Sequence, residues 1–230
     1  MRMVRKASLL AALVLGLSSL AEAGPVPAVA CSMDTLSTYL TPGFSCTIGT
    51  LSFSDFTYSS AAFGGATAVP AAGITVTHIT GTEDGFQFEA PWSVSSSQGE
   101  DSAIGYTVTA TGSTISDVVL GMAGFAVAHG GDVAVGETLE SPPLSLLVFA
   151  NQTGTQASDS ITGLTSTSLT VVKDIALAGN DGVATLSIVD NEFSVKGVGR
   201  STPEPSSILL FGAGLVGLAG YFRRRHGLKS

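Results

Sequence analysis

The chain has 230 residues, 44% hydrophobic, 7% aromatic and only 12% charged, with a formal net charge of −8. That length, less its two ends, leaves room for one domain or two small ones. Between residues 24 and 202 only Lys173, Lys196 and Arg200 stand against sixteen acids; so acidic a surface repels phosphate backbones and argues against nucleic acid as a partner.

At the start, Arg2, Arg5 and Lys6 precede an apolar run over residues 7 to 20, and Ala21-Glu22-Ala23 places small residues at both recognition positions of a cleavage site. This is the layout of a secretory signal peptide, residues 1 to 23, exported by the Sec machinery and cut by signal peptidase before Gly24. Cys31 and Cys46 follow, the only cysteines in the chain. In an oxidising compartment such a pair is read as a disulfide, and closing a loop of this length contributes roughly 3 kcal/mol by chain entropy. No His or acid accompanies either Cys at a spacing that would make it a nucleophile. Between them Ser32 is placed to cap a short helix carrying Met33, Leu36 and Leu40 at helical spacing, with Thr41-Pro42-Gly43 ending it.

From residue 47 to 202 the pattern turns to strands. Phe86, Phe88, Ala90, Trp92 and Val94 alternate with Gln87, Glu89, Pro91, Ser93 and Ser95, and Ile104, Tyr106, Val108 and Ala110 repeat the alternation. Pro91 lacks a donor and predicts an edge or a bulge, and Trp92 a core anchor. Further strands are predicted over residues 47–58, 74–80, 115–122, 123–128, 133–139, 144–150, 168–178, 183–190 and 192–198, about ten in all. Asn180-Asp181-Gly182 between two of these runs predicts a hairpin turn. Residues 151 to 168, rich in Ser, Thr, Gly and Gln, read as a long loop, and Asn151-Gln152-Thr153 as a chance match to a glycosylation acceptor. Leu169, Val171, Ile175 and Leu177 share a parity with Lys173, so a regular strand turns that lysine inward. A bulge at Lys173-Asp174 or an edge position is expected to relieve it. The fold class that results is all-β, an antiparallel β-sandwich or jelly-roll-like domain over residues 24 to 202, with one short N-terminal helix.

The search for chemistry returns little. His78 shares a face with Val76 in a predicted strand, and His129 sits beside Gly130 and Gly131 in a predicted turn. No metalloprotease, nucleophile-elbow, redox or phosphate-loop motif occurs. Glu83-Asp84, Glu100-Asp101 and Asp132 with Glu137 could serve as paired carboxylates or oxygen ligands, but each lies in what reads as loop, where solvated acids are the default. No catalytic residue, metal site or cofactor is therefore assigned, and the chain is read as a non-enzyme. A carbohydrate-binding module is the alternative, with Phe56, Tyr58 or Tyr106 as the aromatics of its groove; a hydrolase built on His78 or His129 is less favoured.

The chain ends with Pro203-Glu204-Pro205, then 17 uncharged residues from 206 to 222, then Arg223, Arg224 and Arg225. As a helix the span is about 25 Å long, just enough for a ~30 Å hydrocarbon core, and the arginines belong on its cytoplasmic side. The prolines keep the motif out of helix interiors and central strands, extended and open to a protease. Residues 203 to 230, with Gly212, Gly214, Gly217 and Gly220 in the span, resemble the tail of PEP-CTERM sorting domains. That resemblance implies recognition by an exosortase, a membrane transpeptidase-like enzyme that cuts near Pro-Glu-Pro in Gram-negative bacteria making extracellular polysaccharide. Cys46-Thr47-Ile48-Gly49, Phe53, Phe56, Tyr58, Gly85, Phe86, Phe88, Trp92, Asp101-Ser102, Ile104 and Tyr106 resemble the exported part of a recurrent group of PEP-CTERM proteins, which implies no activity. The expectation is an exported protein, transiently anchored in the inner membrane through residues 206 to 222. Exosortase then sorts it to the cell surface or matrix for a structural or adhesive role in a biofilm, with exopolysaccharide as a further partner.

Overall fold

The structure is a computed structural model that describes residues 29 to 140 and 143 to 197. The signal peptide, Pro203-Glu204-Pro205, the apolar span and Arg223 to Arg225 lie outside the described residues. In chain order the strands are β1 (Asp34–Thr35), β2 (Ser45–Ile48), β3 (Leu51–Phe63), β4 (Thr75–Ile79), β5 (Asp84–Val94), β6 (Gly99–Ala110) and β7 (Ser113–Ala123). They continue as β8 (Ala126–Ala128), β9 (Asp132–Glu140), β10 (Pro143–Asn151), β11 (Gly154–Gln156), β12 (Ser158–Ser166), β13 (Ser168–Ala178) and β14 (Val183–Gly197). Among the described residues one α-helix, α1 (Leu36–Tyr39), follows β1, and a short 3-10 turn lies at Ala71–Gly73.

Two seven-stranded sheets face each other, sandwich-like. One runs β11-β10-β9-β13-β6-β3-β2; the other runs β1-β4-β5-β14-β7-β12, with β8 also paired to β14. The strand ladders are antiparallel. Period-two patterning explains why: Ile104, Tyr106 and Val108 of β6, Val133, Val135 and Leu139 of β9, and Val171 and Ile175 of β13 are buried on one inner face. Phe86, Phe88 and Trp92 of β5, Val118 and Leu120 of β7, and Val189 and Phe193 of β14 are buried on the other. Trp92 is the core anchor its pattern predicted, its Nε1 donating to Ser102 Oγ at 3.3 Å. Phe53 and Phe56 of β3 both face inward although they are three positions apart, an odd spacing, because the ladder shifts register between Ser54 and Thr57 and Asp55 takes φ 56°. Cys31 and Cys46 form a disulfide, which ties the segment before α1 to β2.

Several predicted elements are corrected. The segment 47–58 is two strands, β2 and the first part of β3, turning at Gly49 with φ 57°. The segments 183–190 and 192–198 are one strand, β14, 15 residues long. The helix is a single turn whose N-cap is Thr35, not Ser32, with Met33 exposed; the Ser32 carbonyl instead accepts the Tyr39 hydroxyl at 2.5 Å. The 151–168 loop is strands β11 and β12. Asn151 Oδ1 accepts the N–H groups of Thr153 and Gly154 to make the β10–β11 turn, and β12, half exposed throughout, is a polar edge strand on β7. Ser and Thr suit such an edge, so their abundance concealed a strand.

Asn180-Asp181-Gly182 does not close a hairpin. The strand before it, β13, pairs with β6 and β9, whereas the strand after it, β14, pairs with β5, β7 and β8. The turn carries the chain from one sheet to the other, Asn180 adopting φ 46°. Backbone passes so close there that a Cβ on Gly179 would lie 1.7 Å from the Ser95 carbonyl and one on Gly182 1.8 Å from that of Ala128. Pro91 lies within β5 beyond the reach of β4, which stops at Glu89, and opposite the bulge between Leu186 and Ile188. Of the two expectations for it, the bulge is the one realised.

Candidate functional site

Strand β13 is regular and central, so the bulge or edge expected at Lys173 is absent and its parity carries the lysine into the core, where it is 0% exposed. The opposite residue on β9 is Glu137, also inward, and its Oε2 lies 2.7 Å from Lys173 Nζ with both side chains fully enclosed. From the facing sheet, Asn191 of β14 presents its carboxamide. Lys173 Nζ donates to Asn191 Oδ1 at 2.5 Å, and Asn191 Nδ2 donates to Glu137 Oε1 at 3.2 Å and to the Val119 carbonyl at 3.0 Å. Tyr106 of β6 donates its hydroxyl to Asn191 Oδ1 and accepts from Lys173 Nζ at 3.1 Å. Four polar side chains from four strands and both sheets thus meet in one place enclosed from solvent.

Aromatic rings surround them. Lys173 Nζ lies 4.9 Å from the centre of the Tyr106 ring and 5.8 Å from that of Phe88. Around Tyr106 the rings of Phe53, Phe56 and Phe86 lie at 6.0, 5.5 and 5.9 Å. Burial lowers the Lys173 amine from its usual range, with the Glu137 carboxylate opposing. Burial, and then the Glu137 charge, pushes the Tyr106 phenol well above its ordinary value, so it stays a hydrogen donor. Chemically the arrangement is a desolvated amine, a carboxyl bridging two nitrogens and a polarised amide carbonyl.

Of the residues singled out from sequence, Tyr106 and Glu137 belong to this cluster and the others stand elsewhere. Tyr106 and Phe56 are buried, and Tyr58 is half-buried with its hydroxyl donating to the Val69 carbonyl, so none of the three forms an open aromatic groove. His78 is exposed on β4 and His129 in the turn after β8, with φ 50°. Asp132 and Glu137 have opposite parity on β9, one on the outer face and one in the core, so they form no pair. Among the described residues no group of three or more His, Cys, Asp or Glu is placed to hold a metal ion. Glu100 is buried instead of solvated, its Oε1 accepting the Val69 N–H at 2.6 Å.

The remaining acids have a measurable consequence. Burial raises Glu100, Asp101, Asp190 and Glu192 above ordinary carboxylate values, helped at Asp101 by Asp174 and at Glu192 by Glu83 and Asp190. A raised folded value means that the folded state holds more protons than the unfolded chain between the two values. Unfolding free energy then falls as pH rises through that window, and the advantage is complete below the unfolded value of about 4. The urea midpoint is therefore expected to rise between pH ~7.5 and pH ~5; a midpoint that falls on acidification over this range contradicts it.

The hollows of the surface include two lined by described residues. One, of about 230 Å3, is lined by Phe63, Glu100, Asp101, Asp132, Ala134 and Ala176 among others. The second, of about 390 Å3, lies over Gly73, Thr75, Glu89, Pro91 and Ser187. Neither is lined by a histidine.

Comparison with known proteins adds the tail. The family described as the PEP-CTERM protein-sorting motif matches residues 201–225. The chain carries a PEP-CTERM sorting motif. Within the matched PEP-CTERM residues fall Pro203, Glu204, Pro205 and Arg223 to Arg225, and the motif indicates an exported, exosortase-processed protein. No curated protein matches the chain. Among solved structures it is similar to TmCBM61 in complex with β-1,4-galactotriose, at 10% identity and TM-score 0.33 over 60% of this chain and 88% of that one. It is also similar to carbohydrate-binding modules of the β-sandwich superfamily, at 8% identity and TM-score 0.29 over 74% and 63%. The enzymatically active domain of bacteriophage CBA120 tailspike protein 4 matches at 14% identity and TM-score 0.24, over 60% and 19%. Likenesses this slight carry no argument about function.

Proposed function

We propose that this is a structural or adhesive protein of the bacterial surface or exopolysaccharide matrix, held briefly in the inner membrane by residues 206 to 222 and released by an exosortase near Pro203-Glu204-Pro205. The single observation that carries the reading is the sorting motif at residues 201–225. The body suits it: a disulfide-tied, acidic sandwich whose polar centre is sealed in the core instead of opening to a substrate. The body is read as a non-enzyme that turns over no external substrate. Deleting residues 203 to 230 is expected to shift the protein from the cell surface to periplasm and medium while the body still folds. Fractionation that finds the truncated form at the surface in wild-type amount would remove the sorting reading.

Carbohydrate binding is the second reading, and one observation favours it: Phe63, 64% exposed, stands beside Asp101 and Asp132 over a hollow, the ring-and-acceptor arrangement on which a sugar stacks. The same ring also covers Gly99 on the neighbouring strand, a cross-strand role that needs no ligand. A glycan array probed with the Phe63→Ala variant beside the wild type decides: signal lost with the ring supports the sugar site, and silence from both ends it.

A further inference from the structure

The buried cluster between the sheets is more elaborate than stability requires, since well-packed apolar residues commonly serve a core as well as an ion pair does or better. Its particular composition is that of a reaction. A primary amine, a carboxamide and a carboxyl group touch one another in a site with no exposed surface: Lys173 and Asn191 are 0% exposed and Glu137 1%. We propose that Lys173 and Asn191 join spontaneously in an intramolecular isopeptide bond, with Glu137 as the proton-transfer catalyst and Tyr106 as the donor that holds the carbonyl oxygen.

The distances suit it. Nζ lies 2.5 Å from Asn191 Oδ1, and a carbonyl bond length then places the amide carbon within about 3.7 Å of the amine, close to an attack distance of about 3–3.5 Å. Glu137 reaches both nitrogens, through Oε2 to Nζ at 2.7 Å and through Oε1 to Nδ2 at 3.2 Å. Tyr106 O–H already donates to the oxygen on which charge develops.

The atoms balance without a co-reactant. The Lys173 ammonium gives one proton to Glu137 and becomes a free amine; burial already disfavours its charged form. Its lone pair attacks Asn191 Cγ, and the carbonyl electron pair moves to Oδ1, held by Tyr106. The Glu137 carboxylic acid protonates Nδ2, and the resulting carboxylate takes a proton from Nζ. Collapse of the tetrahedral centre breaks the Cγ–Nδ2 bond, the electron pair leaving with nitrogen. One ammonia is released, one amide is formed, and Glu137 ends as the neutral acid. The shell of Phe53, Phe86, Phe88 and Phe193 excludes the water that would compete with the amine.

The product joins β13 of one sheet to β14 of the other, a covalent strut across the sandwich that no reducing agent opens. It is independent of the sorting reading, because the reaction needs only the folded body.

Peptide mapping by tandem mass spectrometry of the full chain from cells, reduced and denatured, tests it. Cleavage before aspartate, at Asp159, Asp174, Asp181 and Asp190, separates the two residues, and the expected result is a branched peptide in which the Lys173 and Asn191 segments are joined, lighter than their sum by one ammonia. The Glu137→Gln variant from the same cells should give two unbranched peptides of full mass. Because the wild-type peptide decides by itself, a variant that fails to fold leaves the test intact. A wild-type map with only linear peptides, or an ammonia loss confined to a single linear peptide as in a cyclised asparagine, overturns the proposal. So does a Glu137→Gln map as branched as the wild type, which would remove the catalyst.

Discussion

Replacing Glu137 with alanine is expected to destabilise the domain by about 3–5 kcal/mol, read as a lower urea midpoint at unchanged slope. The variant leaves the Lys173 amine enclosed with only Asn191 Oδ1 and the Tyr106 hydroxyl to accept from it, and it removes the group that relays protons to and from Asn191. The paired variant Lys173→Met with Glu137→Leu separates the two contributions. It takes both partners away together, so no charge remains unpaired, while Asn191 keeps the Val119 carbonyl and the Tyr106 hydroxyl. Recovery of most of the loss is expected from restored apolar packing. A shortfall against the wild type then measures what the covalent strut adds, because the paired variant cannot form it. A loss below about 1 kcal/mol for Glu137→Ala would mean that the pair is not enclosed as described.

Phe86→Ala is expected to cost about 3–5 kcal/mol. The ring is 0% exposed and lies 4.5 Å from Phe53, 5.7 Å from Tyr39, 5.9 Å from Phe56 and Tyr106, and 6.1 Å from Phe88. It therefore connects the helix turn, both sheets and the shell around Lys173, and no single neighbour can collapse into the space it leaves. Val195→Ala, at 36% exposure on the same sheet, serves as the control and should change stability by under about 1 kcal/mol. Near-equal midpoints for the two variants would show that the aromatic cluster yields freely, contrary to its packing.

The strands whose patterns were strongest are where the structure and the sequence agree most closely. Residues 168–178 form β13 over the predicted span, and the inward sets on β5 and β6 are those the alternation marks. The polar strands were harder: β12 pairs through its backbone and buries little, so nothing in its side chains announces a ladder. The site was half legible. Lys173 declared itself by sharing parity with four apolar neighbours, and the same test applied to Glu137 among Val133, Val135 and Leu139 would have drawn it inward too. Asn191 escaped because the reading broke β14 at that residue, although Val189 and Phe193 flank it at spacing two.

By itself the sequence determined the all-β class, the inward faces of the main strands and the sorting tail, because each is written in local patterns of period, charge and order along the chain. Only the tertiary structure decided which sheet each strand joins, and hence that the turn at Asn180 crosses between sheets instead of closing a hairpin. Strand partners are chosen by which apolar faces can bury one another across the whole domain, a quantity that no local window contains. For the same reason Lys173, Glu137 and Asn191, tens of residues apart in the chain, meet only when both sheets close over them.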